Sequence, residues 1–179
     1  WAGKGWHVTV VTVTGRQRDF YSLHERIERI ALGLDSRSAS PGHAVVNNAC
    51  RVRALRRVLR EIKPDAAVAM MATANATLGL AAWGLAVPTI GSERIHPPTL
   101  PLGRAWETVR RWTYPRLSGL VAQTEQSAEW LRTCAPAGRI TVIPNPLYYP
   151  LACHGAGVAP AVVLEKTGRS QLLLGVGRL

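Results

Sequence analysis

The sequence predicts an α/β protein built on a doubly wound parallel sheet, and three observations carry that prediction. Short apolar runs at Ala66 to Met71, Val87 to Gly91, Leu120 to Gln123 and Ile140 to Ile143 lack the alternation of a half-exposed strand, as expected for strands covered on both faces. Between them lie stretches long enough for helices. The runs are bounded by Gly, Pro, Asn and Ser, the usual turn residues. Strand, helix, strand is the βαβ unit, because parallel neighbours need a crossover connection.

The clearest unit runs from Gly119 to Pro146. A strand Leu120 to Gln123 leads to a helix opened by Thr124 and ended near Gly138; a second strand, Ile140 to Ile143, enters the rigid turn Pro144-Asn145-Pro146. Ligands of such sheets sit beyond the carboxyl ends of the strands. Gln123, Thr124 and Asn145 are therefore expected at one crevice.

In chain order, Gly5 reads as the left-handed cap of an element before the strand His7 to Val13. The beginning of the domain is accordingly expected to lie upstream. Thr14 to Asp19 is a polar turn, and Ile27 and Ile30 mark an edge strand within Glu25 to Leu32. Asp35 to His43 reads as a connecting loop from its Ser, Gly and Pro content. A helix is expected from Asn47 or Asn48 to Lys63, stopped by Pro64, with Val52, Leu55, Val58, Leu59 and Ile62 as its apolar stripe. Its other face carries Arg51, Arg53, Arg56, Arg57, Arg60 and Lys63. Such a face can lie against anionic lipid, although a charge run is more commonly just solvated.

The uncharged stretch from Ala66 to Gly91 exceeds the roughly 20 residues that span a bilayer. Thr73, Asn75, Thr77, its glycines and Pro88 divide it into strand, helix (about Ala74 to Leu85) and strand instead. Met70 and Met71 are expected in the core. After Leu100, Trp106, Val109 and Trp112 recur at helical spacing among Arg104, Arg110 and Arg111. That helix suits either a membrane interface or a core helix with a basic outer face, the second being the commoner case.

Composition narrows the function. With 22 Lys and Arg against 11 Asp and Glu, the net charge of +11 calls for acidic partners: nucleic acid, anionic lipid or phosphorylated substrates. No nucleic acid partner is expected, because the arginines lie on helix faces without interleaved stacking aromatics and no recognition signature is present. Cys50, Cys134 and Cys153 are odd in number and far apart, which argues against a zinc site or a disulfide framework. They read as packed thiols in a reducing, cytoplasmic setting, at the inner face of the membrane if the lipid reading holds.

Three motifs in order, LVAQTEQSAEWL, ITVIPNPL and, about thirty residues on, LLLGVGRL, resemble the middle of the retaining glycosyltransferases of family 4. The resemblance implies a GT-B fold whose amino-terminal half is a Rossmann-like domain. It divides the chain into residues 1–146 as the acceptor-side domain, 147–170 as an interdomain linker and 171–179 as the first strand of the donor domain. It also implies that the family's first strand and glycine-rich loop lie outside this sequence, as do the Lys and two Glu residues that complete a donor site. The chain alone is therefore expected to be inactive or nearly so.

The densest ionisable group after a buried strand is Ser92-Glu93-Arg94-Ile95-His96-Pro97-Pro98. A carboxylate, a guanidinium and an imidazole can hold a phosphate and move protons at a sugar hydroxyl. This group resembles the S-E-R-N-x-P variant of polymer-assembling members, although the pattern has no fixed His at the position of His96. The resemblance implies Glu93 and Arg94 as catalytic residues and Ser92 at the acceptor; His96, and Thr124 and Asn145 from the crevice rule, are further acceptor candidates. If the acceptor is linked to polyprenyl diphosphate, Arg104, Arg110 and Arg111 are candidate diphosphate contacts. Arg178, in the GRL motif, matches the residue that holds the donor diphosphate. The implied reaction moves a hexose or aminohexose from a nucleotide sugar with retention and without an obligatory metal. The strand ending in Gly175-Val176-Gly177 stops short of a full dinucleotide fingerprint.

Two alternatives remain at this level. A non-enzymatic binding domain on the same sheet would bind ligand without turnover. A basic peripheral-membrane or polyanion-binding module would show salt-sensitive liposome binding and no response to nucleotide sugars.

Overall fold

The structure, a computed structural model, describes residues 1–18, 22–36, 40–136, 138–146 and 160–168. The chain divides into two compact units, Trp1–Pro144 and Asn145–Leu179. In the first unit the described strands are β1 (Val8–Thr12), β2 (Ile27–Ala31), β3 (Ala67–Met70), β4 (Thr89–Ser92), β5 (Gly119–Ala122) and β6 (Ile140–Val142). Its helices are α1 (Pro41–Ile62), α2 (Ala72–Ala81), α3 (Arg104–Thr113) and α4 (Glu125–Cys134). In the second unit, α5 spans Pro160–Thr167, where a linker is expected from the sequence.

All the strand pairs are parallel, as the buried apolar runs require. They form two sheets: β1 beside β2, and β3-β4-β5-β6 in sequence order. Among the described residues β1 and β3 are each paired along one edge only. This is the mixed α/β, Rossmann-like architecture expected from the sequence.

Among the described residues the core has two clusters. One packs Tyr114, Leu117, Leu120, Ala122, Ala128, Leu131 and Ala135 between β5 and α4. The other joins Leu59 of α1 to Leu78, Ala81 and Ala82 at α2. Where the sheet meets α2 and the turn after α3, small residues permit a close approach. A Cβ on Gly91 would lie 2.9 Å from Leu117 Cδ1, and one on Gly79 2.9 Å from Thr113 Cβ.

Several element boundaries differ from the sequence reading. α1 begins at Pro41 rather than at Asn47 or Asn48, because Ser40 caps it by accepting the His43 N–H at 3.3 Å and proline suits the first helical turn. α2 ends at Ala81, before Leu85. Gly5 does supply a left-handed cap (φ 84°), closing the single turn Ala2–Lys4. Met70 and Met71 are 56% and 40% exposed, not core residues: β3, paired along one edge only among the described residues, ends at Met70, and Met71 is the turn into α2. Cys134 is buried as a packed thiol, but Cys50 is exposed on α1.

Candidate functional site

The site grows from the carboxyl ends of β4 and β5, which are neighbours in the sheet. β4 delivers Ser92, and a buried asparagine holds it there. Asn75 of α2, fully buried, accepts the Ser92 N–H at 3.2 Å and donates Nδ2 to the Ser92 carbonyl at 3.1 Å. One side-chain amide thus satisfies both peptide groups of Ser92 and ties α2 to the end of the strand. The next residue, Glu93, donates its backbone N–H to the Val121 carbonyl of β5 at 2.8 Å.

The Glu93 side chain turns inward and is only 3% exposed. Its Oε1 accepts a hydrogen bond from the Tyr114 hydroxyl and lies 3.9 Å from Arg110 Nε. Arg110 is itself 1% exposed. Its Nη1 donates to both Glu107 oxygens at 3.0 Å, and its guanidinium carbon lies 5.1 Å from the centre of the Trp130 ring. Burial is the leading influence on Glu93 and raises its pKa above the ordinary carboxylate range, while the Tyr114 hydroxyl and the Arg110 charge pull it down. Burial, followed by the neighbouring Glu93 charge, also raises the Tyr114 phenol, so the phenol remains a donor.

From Arg94 the loop returns to the surface. Arg94 and His96 are half-buried. The His96 carbonyl accepts from the Thr99 N–H (3.0 Å) and hydroxyl (2.7 Å), fixing the turn Pro97–Thr99. His96 Nδ1 lies 3.0 Å from Ser127 Oγ in the first turn of α4. Ser127 Oγ lies 3.0 Å from Thr124 Oγ1, which caps α4 by accepting the Ser127 N–H at 3.2 Å. If Thr124 donates to Ser127 and Ser127 donates to His96, Nδ1 is the acceptor and the proton sits on Nε2. The loop after β4 and the amino end of α4 are thereby one hydrogen-bonded unit.

The family model of the glycosyl transferase 4-like domain matches residues 1–146. The chain belongs to this glycosyltransferase family. A search among curated proteins gives no match.

In this glycosyl transferase 4-like domain the expected site residues separate into groups. Glu93, Arg94, His96 and Thr124 occupy adjoining segments at the ends of β4 and β5. The Ser92 side chain is buried in the strand. The three arginines of α3 do not share a face. Arg104 and Arg111 are on the exposed side, whereas Arg110 turns into the core to meet Glu93, Glu107 and two aromatic rings. An outer basic face for all three is therefore corrected. Asn145 belongs to the second unit, and Arg178 lies outside the described residues. The linker residues 147–159 and 169–170 and the expected donor-domain strand at 171–179 lie outside them too.

Sequence reasoning missed Asn75, Tyr114 and Ser127 as parts of the site. Ser127 had a signal, since Thr124 and Ser127 are three residues apart at a helix start. Asn75 and Tyr114 reach Ser92 and Glu93 across many residues, and no local pattern announces that contact.

Proposed function

We propose that this chain is the acceptor-side half of a retaining glycosyltransferase that moves a hexose or aminohexose from a nucleotide sugar to a glycan or a polyprenyl-diphosphate-linked acceptor. Family membership supports transfer chemistry. The observation that carries the acceptor site is the His96–Ser127–Thr124 chain of contacts, which joins the loop after β4 to the amino end of α4 at the crevice end of the sheet.

In this reading His96 offers Nε2–H to an acceptor hydroxyl or phosphate oxygen, with Ser127 fixing the ring. The amino end of α4 adds its partial positive charge beside a phosphate. Gln123 Nε2, buried without a hydrogen-bond partner among the described residues, is a further donor for a sugar oxygen. Arg94 pairs with phosphate charge. Glu93 acts chiefly as a positioning residue, its carboxylate already engaged by Tyr114 and Arg110. Arg178 and a following donor domain hold the leaving nucleoside diphosphate, whose charge is stabilised electrostatically. In this reading no metal is obligatory.

The test uses the intact enzyme supplied with UDP-glucose, UDP-N-acetylglucosamine and GDP-mannose, reading nucleoside diphosphate release in the presence of membrane-extracted acceptors. Release with at least one donor is expected, falling about tenfold or more in His96→Ala and partly restored in Ser127→Thr relative to Ser127→Ala. If the intact protein binds a nucleotide sugar yet releases no diphosphate, the non-enzymatic binding domain is the better account.

A further inference from the structure

The loop that carries Arg94 and His96 runs from Glu93, just past β4, to Gly103, the residue before α3. An irregular segment of this kind keeps one shape only where the scaffold around it fixes its ends. Here its ties converge on one buried side chain. At the start of the loop, the Glu93 carboxylate accepts from the Tyr114 hydroxyl and lies 3.9 Å from Arg110 Nε. At its far end, the Leu102 N–H donates to Glu107 Oε1 at 3.4 Å, and the same oxygen accepts from Arg110 Nη1 at 3.0 Å. Between them, His96 Nδ1 meets Ser127 Oγ on α4, and Trp130, further along α4, has its ring centre 5.1 Å from the Arg110 guanidinium carbon.

Arg110 is 1% exposed, and taking a guanidinium that far out of water is costly. Stability alone is a weak reason for it, because well-packed apolar side chains in place of a buried ion pair are often as stabilising or more so. Its Nε, moreover, has no hydrogen-bond partner among the described residues. What the guanidinium offers is shape. It holds both Glu107 oxygens, faces Glu93 and lies over the Trp130 ring at once, which neither an ammonium nor an apolar side chain can do.

We propose that Arg110 is a positioning residue for glycosyl transfer: from inside the core it holds both ends of the loop 93–103 and the helix beneath its middle, and so fixes where Arg94 and His96 meet the acceptor. This inference rests on the acceptor-site reading above and assigns the geometry of that site to a residue behind it. A shift of about 1 Å at a group that orients substrate can cost on the order of a hundredfold in rate. A staple buried behind the loop therefore governs the reaction without touching substrate.

Arg110→Met alone strands a buried carboxylate, so the test combines it with Glu93→Gln and Glu107→Gln. The triple variant removes all three charges and keeps the hydrogen-bond acceptors at positions 93 and 107. Histidine nitrogen NMR of this chain reads the loop without requiring turnover. At about pH 8, where imidazole is ordinarily neutral, wild-type His96, assigned by its loss in His96→Gln, should be the Nε2–H tautomer. In the triple variant, folded by circular dichroism, it should move toward the mixture of a free imidazole; Arg110→Lys, which keeps the charge and loses the fork, should fall between. In the intact enzyme, read by nucleoside diphosphate release with membrane-extracted acceptors, the triple variant should lose on the order of tenfold to a hundredfold in kcat/KM for the acceptor, with the donor KM within about twofold. A third arm needs no substitution: the Glu93 and Leu102 amides of the wild-type chain should show hydrogen-exchange protection equal within about threefold, as the ends of one cooperative unit. Unchanged His96 signals or acceptor kcat/KM in the folded triple variant, or independent exchange of the two amides, would overturn the proposal. Altered His96 signals without turnover of any donor would leave the staple standing and count against the transferase reading instead.

Discussion

Tyr114→Phe removes a single oxygen from a fully buried side chain and leaves the ring volume in place. No cavity forms, so the change isolates the hydrogen bond to Glu93. A hydrogen bond to a buried charged group is worth about 1.5 to 3 kcal/mol. The contact from Asn75 Nδ2 to the Tyr114 hydroxyl, at 3.4 Å, adds little. The remaining partner, Arg110 Nε at 3.9 Å, is too far to replace the lost donor with a direct hydrogen bond. We expect a loss of about 2 kcal/mol where Glu93 is ionised. In urea unfolding that corresponds to a midpoint lower by roughly 1 M, with an unchanged slope. The loss should shrink in acid, because a protonated Glu93 forms only a neutral pair with Tyr114. A midpoint within about 0.2 M of wild type, or a deficit equal at acid and neutral pH, would refute this account of the network.

Glu93→Gln should reverse a pH trend. The folded pKa of Glu93 lies above its unfolded value, so its favourable contribution is complete below the ordinary carboxylate range and fades as pH rises toward the folded value. The stability of Glu93→Gln relative to wild type should therefore rise with pH from about pH 4 upward, as read from urea midpoints at several pH values; a flat difference contradicts the burial of Glu93. Met71 joins β3 to α2 at φ 80° and ψ 147°, a region open mainly to glycine. Relief of that strain outweighs the lost side-chain packing, so Met71→Gly should raise Tm by about 2 to 4 °C, and a lower Tm by calorimetry would count against it. Gly91→Ala puts a Cβ against Leu117, Leu120 and Asn75, at 2.9, 3.1 and 3.2 Å. It should cost about 1 to 3 kcal/mol in urea unfolding; a neutral result would mean that this junction yields easily.

How far the sequence could be read follows the range of each interaction. The β5–α4–β6 unit was legible because Thr124, the apolar runs and the closing turn act locally. The start of α1 was readable in principle from Ser40-Pro41, but a Gly- and Ser-rich composition argued for a loop, and the cap outweighed it. The crevice end was legible as a place, since strands alternating with helices fix where loops emerge. Which side chains turn inward was not. Arg110 shares a helix with exposed Arg104 and Arg111, and only its position opposite Glu93, Tyr114 and Trp130 makes it a core residue. Such contacts join residues on separate elements, beyond any helical or strand period.

The single-sided pairing of β1 and β3 has a practical consequence. Each leaves a row of backbone amides and carbonyls without a neighbouring strand among the described residues, and Val68 and Met70 of β3 are 44% and 56% exposed. Neither strand contains the Lys or Pro that commonly guards an edge. Copies of the chain should therefore pair along these rows once concentrated, while dilute solutions remain monomeric. Val68→Lys, which puts a charge at an exposed position of β3, should raise the concentration at which aggregates appear.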